Sequence, residues 1–576
     1  MLHKDRKLII FLAGIFLIIF FRFYFLQIQQ QQEYEKKAGG NSIRNIILNA
    51  PRGIIFDRNH NPIVDNRQIY DLSLIPFDVT EHFNYTLFEK VTGLEVNKIA
   101  ESVKKKKNSF YRFRPFTVKR HIDFEKRSQL EENKLDLPGM IFSEFPARTY
   151  PDSAKLTHVL GYLRVVTEES AINPPVDLKY KLGDVFGFSG IEKMYESSLR
   201  GKDGTEYRLV DIYGIDHGVL AENPGTLPVP GEHLILSIDA KMQALVEKLF
   251  LDKKGAVVAL APATGEVLAI HSAPDYNLDS FAGPVPIELW EGWNSDPDKP
   301  LLNRVVQGLY PPGSTMKLAA AALAVEKKKV STDWKVHCSG VYGFGDRNFH
   351  CWNTAGHGEV DLNLAIQQSC NVYFYHLMQK LSFEEWRDMV EQFHFGEKTG
   401  IDILGEKKGN VPNKDYMNSR YGRYGWAAGN LLTFIIGQGD VLVTPLQVAQ
   451  FMSLIATDGN TYQPHLVKNQ DTPAVQVHLQ QNTWEFIQKA TWNVVNHKEG
   501  TGKQAAVKGG GVHGKTGTAQ NPHGDDHSWF AGFMNVKDKP IISLAVIVEH
   551  GGKGSVEAAS ISRKIFQYAE QNSPFK

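Results

Sequence analysis

At 576 residues the chain is too long for one ordinary domain and has room for about three or four. Its 64 basic residues balance 64 acidic ones, so no global field draws it to nucleic acid. The only cysteines, Cys338, Cys351 and Cys370, fall in one short segment, which excludes a disulfide framework for the fold.

The first seven residues are largely charged, and 8–21 carry no charge. Arg22 interrupts, and Phe23-Tyr24-Phe25-Leu26-Gln27-Ile28 continues the apolar run. As a helix, 8–28 would rise about 30 Å, enough to cross a hydrocarbon core. A cleaved signal peptide needs a shorter apolar region followed by small residues. Here large aromatics follow, in the position of an interfacial belt. The expectation is an uncleaved span at 8–28. Residues 1–7 would lie in the cytoplasm and the bulk of the chain outside the cytoplasmic membrane.

Residues 29–40 are polar and Gln-rich, a stalk. Ile54-Ile55-Phe56 and Ile63-Val64 then read as two short strands about the polar turn Asp57-Arg58-Asn59-His60-Asn61. Composition turns charged and aromatic over 68–140, with helical patterns near 88–106 and 124–134, which reads as an inserted head. Its Lys104-Lys105-Lys106-Lys107 run reads as a solvated loop. No nucleophile with a base at a sensible spacing occurs in 29–230, so that part is expected to be a non-catalytic, β-rich pedestal.

A Pro- and Gly-rich stretch, 223–231, marks a boundary near 230. In 231–576, Gly255-Ala256-Val257-Val258-Ala259-Leu260-Ala261 and Glu266-Val267-Leu268-Ala269-Ile270 make a hairpin, a long helical middle follows, and strands return at 527–550. That order describes an α+β domain whose one sheet is closed by both ends of the segment.

Within it, residues 310–324 read Tyr-Pro-Pro-Gly-Ser-Thr-Met-Lys-Leu-Ala-Ala-Ala-Ala-Leu-Ala. Pro and Gly punctuate a turn and the Ala/Leu run is a strong helix former, so Ser314 is expected on the first turn of a buried helix. Ser314 and Lys317 are then i and i+3 on one face, about 5–6 Å apart at Cβ. Serine needs a neighbouring base to become a nucleophile. A lysine desolvated by an apolar helix has its pKa pushed down and can be that base. The spacing recurs in Ser102-Val103-Lys104-Lys105, in a basic, solvated stretch.

Ser369-Cys370-Asn371 closes an apolar helical stretch that begins at Leu362. In a turn or extended backbone i and i+2 point the same way, so Ser369 and Asn371 can face one cleft. A hydroxyl there can relay a proton and an amide can hold a substrate amide. Further on comes Gly514-Lys515-Thr516-Gly517-Thr518, after Gly509-Gly510-Gly511. On an edge strand Lys515 and Gly517 share a face, the ammonium supplying charge and the glycine room for a substrate backbone. Lys398-Thr399-Gly400 repeats the tripeptide without a returning hairpin and is expected to be a turn after a helix.

In this order, Ser314-x-x-Lys317, Ser369-x-Asn371 and Lys515-Thr516-Gly517 resemble the motif set of penicillin-binding proteins and serine β-lactamases. Arg52-Gly53, 148–151 and Gly190-Ile191-Glu192 extend the likeness, so that the chain from residue 8 onward resembles a class B penicillin-binding protein. Tyr310-Pro311-Pro312-Gly313-Ser314, Gly356-His357-Gly358, Ile436-Gly437-Gln438-Gly439, Thr444-Pro445-Leu446-Gln447 and Val548-Glu549-His550-Gly551 are most similar to the elongation-specific members, with the division-specific members as runner-up. Many elongation members carry Asp where this chain has Asn371, and the glycine-rich approach to Lys515 is unusual.

The resemblance implies a D,D-transpeptidase acting on the D-Ala-D-Ala end of peptidoglycan stem peptides during cell-wall elongation, with no cofactor for catalysis. Ser314 would be the nucleophile, Lys317 its base and Ser369 the relay to the leaving D-Ala, with Asn371 beside them. The N–H groups of Ser314 and Thr518 would form the oxyanion hole, and Lys515, Thr516, Gly517 and Thr518 would hold the substrate. β-Lactams would acylate the same serine. Implied partners are a membrane-embedded peptidoglycan glycosyltransferase and elongation scaffold proteins. A β-lactamase needs a positioned water and a second base, and none is assignable. A penicillin-recognising scaffold or sensor without turnover is an alternative of a different class. Cys338, Cys351, His357 and Cys370 offer four soft ligands that suit a closed tetrahedral zinc site, and some elongation members carry zinc near this motif. The alternative is a Cys338–Cys351 disulfide with Cys370 buried. His350 and Asp346 are spare ligands.

Overall fold

The structure is a computed structural model that describes residues 2–30, 43–109, 112, 113, 115–151, 154–166, 180, 184–210, 216–281, 285–468, 470–521 and 524–572. The chain divides into two compact units, Met1–Gly53 with Asn66–Ala147 and Arg200–Glu232, and Ile54–Asp65 with Arg148–Leu199 and His233–Lys576. Two segments read as pedestal, Ile54–Asp65 and Arg148–Leu199, thus pack with the C-terminal part of the chain. Most of the expected stalk lies outside the described residues.

In the first unit, the helix Leu2–Tyr24 runs into a wider turn, Phe25–Gln29. Ile9–Ile28 has a mean hydropathy of 2.6 and is long and apolar enough to cross a membrane. Ile43–Leu48 pairs antiparallel with Gly204–Val210, which also pairs with Gly225–Thr226 and Asp216–Val219. The inserted head packs Leu72, Leu74, Phe88, Val103, Ile122 and Leu130 into a core of its own. Its first helical stretch is two helices, Tyr85–Thr92 and Val96–Lys107. Gly93, at φ +70°, closes the first in the left-handed conformation that glycine adopts without a Cβ penalty. The lysine run lies on the last turn of Val96–Lys107 and not in a loop. Lysine is a good helix former, and cations there face the negative end of the helix dipole. Ser102 turns its hydroxyl back onto the Lys98 carbonyl at 2.8 Å, within its own helix.

The second unit is built on five antiparallel strands: β1 (Gly255–Leu260), β2 (Val267–Ala273), β3 (Val512–Ala519), β4 (His527–Val536) and β5 (Lys539–Val548). Their order is β2-β1-β5-β4-β3, so the first and last parts of the domain meet where β1 pairs with β5. β1 and β2 are buried on both faces, which is why they read as continuous apolar runs without alternation. One side of the sheet is covered by Ala240–Leu249 and Glu557–Asn572, through Val246, Phe250, Ile561, Ile565 and Phe566. On the other side the helix Pro445–Ala456 is buried along its whole length. Thr444 and Gln447 form a reciprocal capping box at its start, with a proline at its first position, so its end is satisfied without water. Ser453 meets Ser543 of β5 at 2.6 Å, pairing two hydroxyls that would otherwise be orphaned in the core.

The segment Arg148–Leu199 carries a fully buried ion pair, Arg148 Nε to Glu192 Oε1 at 2.7 Å. This is the physical reason for two of the pedestal motifs. Removing one partner would strand a buried charge, a loss of about 3–5 kcal/mol.

Candidate active site

Ser314 lies on a tight 3-10 turn, Gly313–Thr315, and not inside the helix; the helix α1, Lys317–Glu326, begins after it. The difference lies at Gly313, whose left-handed backbone keeps a right-handed helix from running into Ser314 from the prolines before it. Gly313 sits at φ +56°, donates its N–H to Gly437 O at 2.8 Å, and lies so near β3 that a Cβ would come within 2.8 Å of Thr518 O. Ser314 is half-buried at the mouth, and Lys317, the first residue of α1, is fully buried.

Ser369 adopts a left-handed φ of +57°, Cys370 is extended, and Asn371 opens the helix α2, Asn371–Met378. The backbone therefore differs from the simple extended geometry expected. Even so, both side chains arrive at one point. Lys317 Nζ donates to Ser369 O at 2.9 Å, to Ser369 Oγ at 3.3 Å and to Asn371 Oδ1 at 2.6 Å. A non-glycine residue with positive φ costs about 1–3 kcal/mol and tends to persist at functional sites. Here it lets one residue present both its carbonyl and its hydroxyl to the lysine.

β3 is the sheet edge next to Ser314. Lys515, also fully buried, donates to Ser369 Oγ at 2.9 Å and to Thr516 O at 3.0 Å. One hydroxyl thus bridges two lysine amines. Burial pushes the Lys317 amine down to about 8, with the Cys351 and Cys370 thiols opposing that shift. Burial, together with the neighbouring Lys317, pushes Lys515 well below its ordinary range. Two ammonium groups in so dry a site repel, so the pair resists carrying two protons. A Cβ on Gly517 would meet Trp529 Cβ at 3.0 Å and Pro312 O at 3.1 Å, so this position sets the spacing between the strand and the loop that carries Ser314.

The Thr518 carbonyl accepts from Gln438 Nε2 at 2.8 Å across the free edge of β3. In an antiparallel strand a residue's N–H and C=O point to the same side. The Thr518 N–H therefore faces the edge where Gly313-Ser314 lies. Among the described residues, no hydrogen bond joins Ser314 Oγ to Lys317 Nζ, and such bonds are often loose before substrate binds. Gln438 belongs to a run quoted from the sequence with no role attached, and Thr501, whose Oγ1 meets Thr516 Oγ1 at 2.9 Å, gave no signal at all. Both contacts are long-range and have no local pattern. The repeated tripeptide Lys398-Thr399-Gly400 lies in a loop. Thr399 gives its N–H and hydroxyl to Glu406, at 2.8 and 2.6 Å, and Lys398 is exposed.

Behind the second motif, Cys338, Cys351, His357 and Cys370 bring one ligand atom each to within 4.8 Å of one another. None of the three cysteines is in a disulfide, and all are buried. His357 Nδ1 lies 3.5 Å from both Cys338 Sγ and Cys351 Sγ, and Asn371 N–H points at Cys351 Sγ at 3.4 Å. The Cys370 thiol and His357 hold Cys351 toward its thiolate, while Cys370 is pushed up. The spare residue His350 instead offers its carbonyl to Asn371 Nδ2 at 3.2 Å.

A buried lysine on the first turn of a helix, a Ser-x-Asn turn facing it and a Lys-Thr-Gly edge strand define a serine acyl-transfer site of the penicillin-recognising kind. The family "Penicillin binding protein transpeptidase domain" matches residues 255–567 and "Penicillin-binding Protein dimerisation domain" matches 47–236. The chain belongs to the penicillin-binding proteins and, within them, to class B, most like the elongation-specific members. It is 30% identical to "Peptidoglycan D,D-transpeptidase MrdA" of Haemophilus influenzae, over 98% of this chain and 92% of that protein. It is 28% identical to the protein of the same name in Escherichia coli K12, over 98% and 94%. A solved complex between penicillin-binding protein PBP2 and MreC from Helicobacter pylori has a TM-score of 0.78 at 28% identity, covering 92% of this chain and all of that one. Pseudomonas aeruginosa PBP2 in complex with WCK 5153 has a TM-score of 0.69 at 28% identity, covering 92% and 98%.

Proposed function

We propose that Ser314 is the nucleophile of a peptidoglycan D,D-transpeptidase of the elongation type. The class of enzyme follows from the family; the observation that carries the residue roles is the Ser369 hydroxyl held between Lys317 and Lys515. The carboxylate of a D-Ala-D-Ala end would bind at Lys515, Thr516 and Thr518, and its negative charge would favour the ammonium form of Lys515. Repulsion from that ammonium then holds Lys317 neutral, the form able to take the Ser314 proton. Ser314 Oγ attacks the penultimate carbonyl, and the oxyanion falls between the N–H groups of Ser314 and Thr518, each worth about 3–4 kcal/mol in the transition state. Ser369 passes the proton to the departing D-Ala nitrogen, with Asn371 orienting Lys317 and the substrate amide.

Benzylpenicillin incubated with the full chain should give one covalent adduct by intact mass, absent in Ser314→Ala. An adduct of equal yield in that variant would overturn the assignment.

The span Ile9–Ile28 anchors the chain in the cytoplasmic membrane with its bulk outside. Solved relatives described as bound to MreC, and as part of a peptidoglycan synthase complex, support a scaffold protein and a glycosyltransferase as partners. The three unpaired thiols and His357 Nδ1 fit a tetrahedral zinc, which would act structurally by fixing the turn that carries Ser369 and Asn371. Metal analysis of the purified chain should return about one zinc per molecule; a zinc-free, folded protein would remove that reading.

A further inference from the structure

The side chain of Gln438 lies along the free edge of β3 as a peptide group would. Its Nε2 donates to Thr518 O at 2.8 Å, and its Oε1 accepts from the N–H of Gln520, just past the strand, at 3.4 Å. Only this orientation of the amide serves both groups, since the carbonyl needs a donor and the N–H an acceptor. One side chain thus closes two ladder groups that an edge strand otherwise offers to an incoming chain. The backbone beneath it is pinned on both sides. Gln438 N–H donates to Thr433 O at 2.9 Å, and the carbonyl of the preceding Gly437 accepts from Gly313 N–H at 2.8 Å. The side chain itself is half-buried, so a change of rotamer is enough to free the edge.

A donor peptide meets this contact directly. With its terminal carboxylate toward Lys515 and Thr516, the peptide arrives from the Gln520 end and runs antiparallel to β3. In an antiparallel pair, two residues directly opposite can exchange both N–H···O bonds. The acyl residue sets its carbonyl on the Thr518 N–H, so its own N–H falls on the Thr518 carbonyl. Gln438 Nε2 already holds that place.

We infer that Gln438 is a specificity-determining residue that stands in for the N–H of the acyl residue, yielding to a donor that carries this N–H and staying for one that lacks it. The inference rests on the transpeptidase reading above. A donor with the N–H exchanges one hydrogen bond for another and gains little by it. A donor without it leaves the Thr518 carbonyl on Gln438, where the carbonyl would otherwise be covered without a partner, and an unsatisfied polar group costs more than a bond merely not made. Gln438 therefore flattens the enzyme's discrimination at this one atom of the donor.

The test uses the full chain in detergent and two donors that differ at that atom: the N-benzoyl-D-alanyl thioester of mercaptoacetate, and its O-benzoyl-D-lactyl counterpart, in which oxygen replaces the N–H. The readout is the ratio of kcat/KM for the two, followed by thiol release, and a ratio does not depend on how much of a sample is folded. Gln438→Met, close in shape but without the amide, is expected to raise the ratio about tenfold, the scale of one hydrogen bond lost or gained, with the alanyl donor faster and the lactyl donor slower than in wild type. Gln438→Ala should move it the same way. A ratio that is unchanged or lowered in both variants, as when both donors slow alike, overturns the inference. Wild type that forms no benzylpenicillin adduct, or releases no thiol, overturns the transpeptidase reading and the inference with it; wild type that does both, with an unmoved ratio in the variants, overturns the role of Gln438 alone.

Discussion

Lys515-Thr516-Gly517 and Lys398-Thr399-Gly400 are the same three residues in two settings. In the first, the strand edge turns lysine into the interior, where its amine meets Ser369, and glycine lies against the loop that carries Ser314. In the second, lysine is exposed and threonine ties a loop to Glu406. The tripeptide acquires its chemistry from backbone and burial: the Lys515 amine, dry and beside a second one, has a lowered proton affinity.

The sharpest way to break that contrast is at the lysines. Lys515→Ala should lower the second-order rate of acylation by benzylpenicillin by about 10²–10³, the loss of one preorganised charge contact. Lys398→Ala should leave the rate alone and change stability by no more than about 0.5 kcal/mol. Similar losses in both would erase the distinction.

The pH profile sharpens it next. With Lys317 as the proposed base, its reactive form is the neutral amine, and its ammonium, favoured at low pH, cannot accept the serine proton. Acylation should therefore rise with pH and level off above about 8. Lys515, Cys351 and Cys370 are the other titratable groups acting on it or on its partner. A rate independent of pH between 6 and 9, ~2 units below to ~1 unit above that value, would contradict Lys317 as base.

At the glycines, Gly517→Ala should push β3 from Pro312 and cost about tenfold or more in acylation, since small misplacements of reacting groups are expensive. Gly400→Ala, at φ +84°, should cost about 1–3 kcal/mol of stability with the rate per folded molecule unchanged. Thermal melts beside acylation rates separate the two. The threonines give the smallest effect: Thr516→Val should slow acylation a few-fold, about 1 kcal/mol, while Thr399→Val should show a loss of similar size only in melting temperature.

Much of this was legible in the chain. The apolar run at 8–28, the hairpin Gly255–Leu260 with Val267–Ala273, and the order of three motifs are local patterns, and local patterns survive folding. The break at Gly93 was missed because the apolar spacing continues across it, and the turn carrying Ser314 because the Ala/Leu run outweighed Gly313. The packing of Arg148–Leu199 with the C-terminal unit, the Gln438 contact to Thr518 and the Thr501 contact to Thr516 depend on residues brought together only by the fold. The four residues of the Cys/His cluster were named from composition, but their convergence behind Asn371 is a tertiary fact.

The pairing of β1 with β5 joins residues 255–260 to 543–548. Closing so long a loop is entropically costly and slow, and the contacts that reward it come last. A ribosome delivers Ser314 and Lys317 long before β3, β4 and β5, so the nascent chain carries the proposed nucleophile with no strand to oppose it. Reactivity toward penicillin is therefore expected only once Lys539–Val548 has been made, since a chain cut short of it would lose the central strand of its sheet.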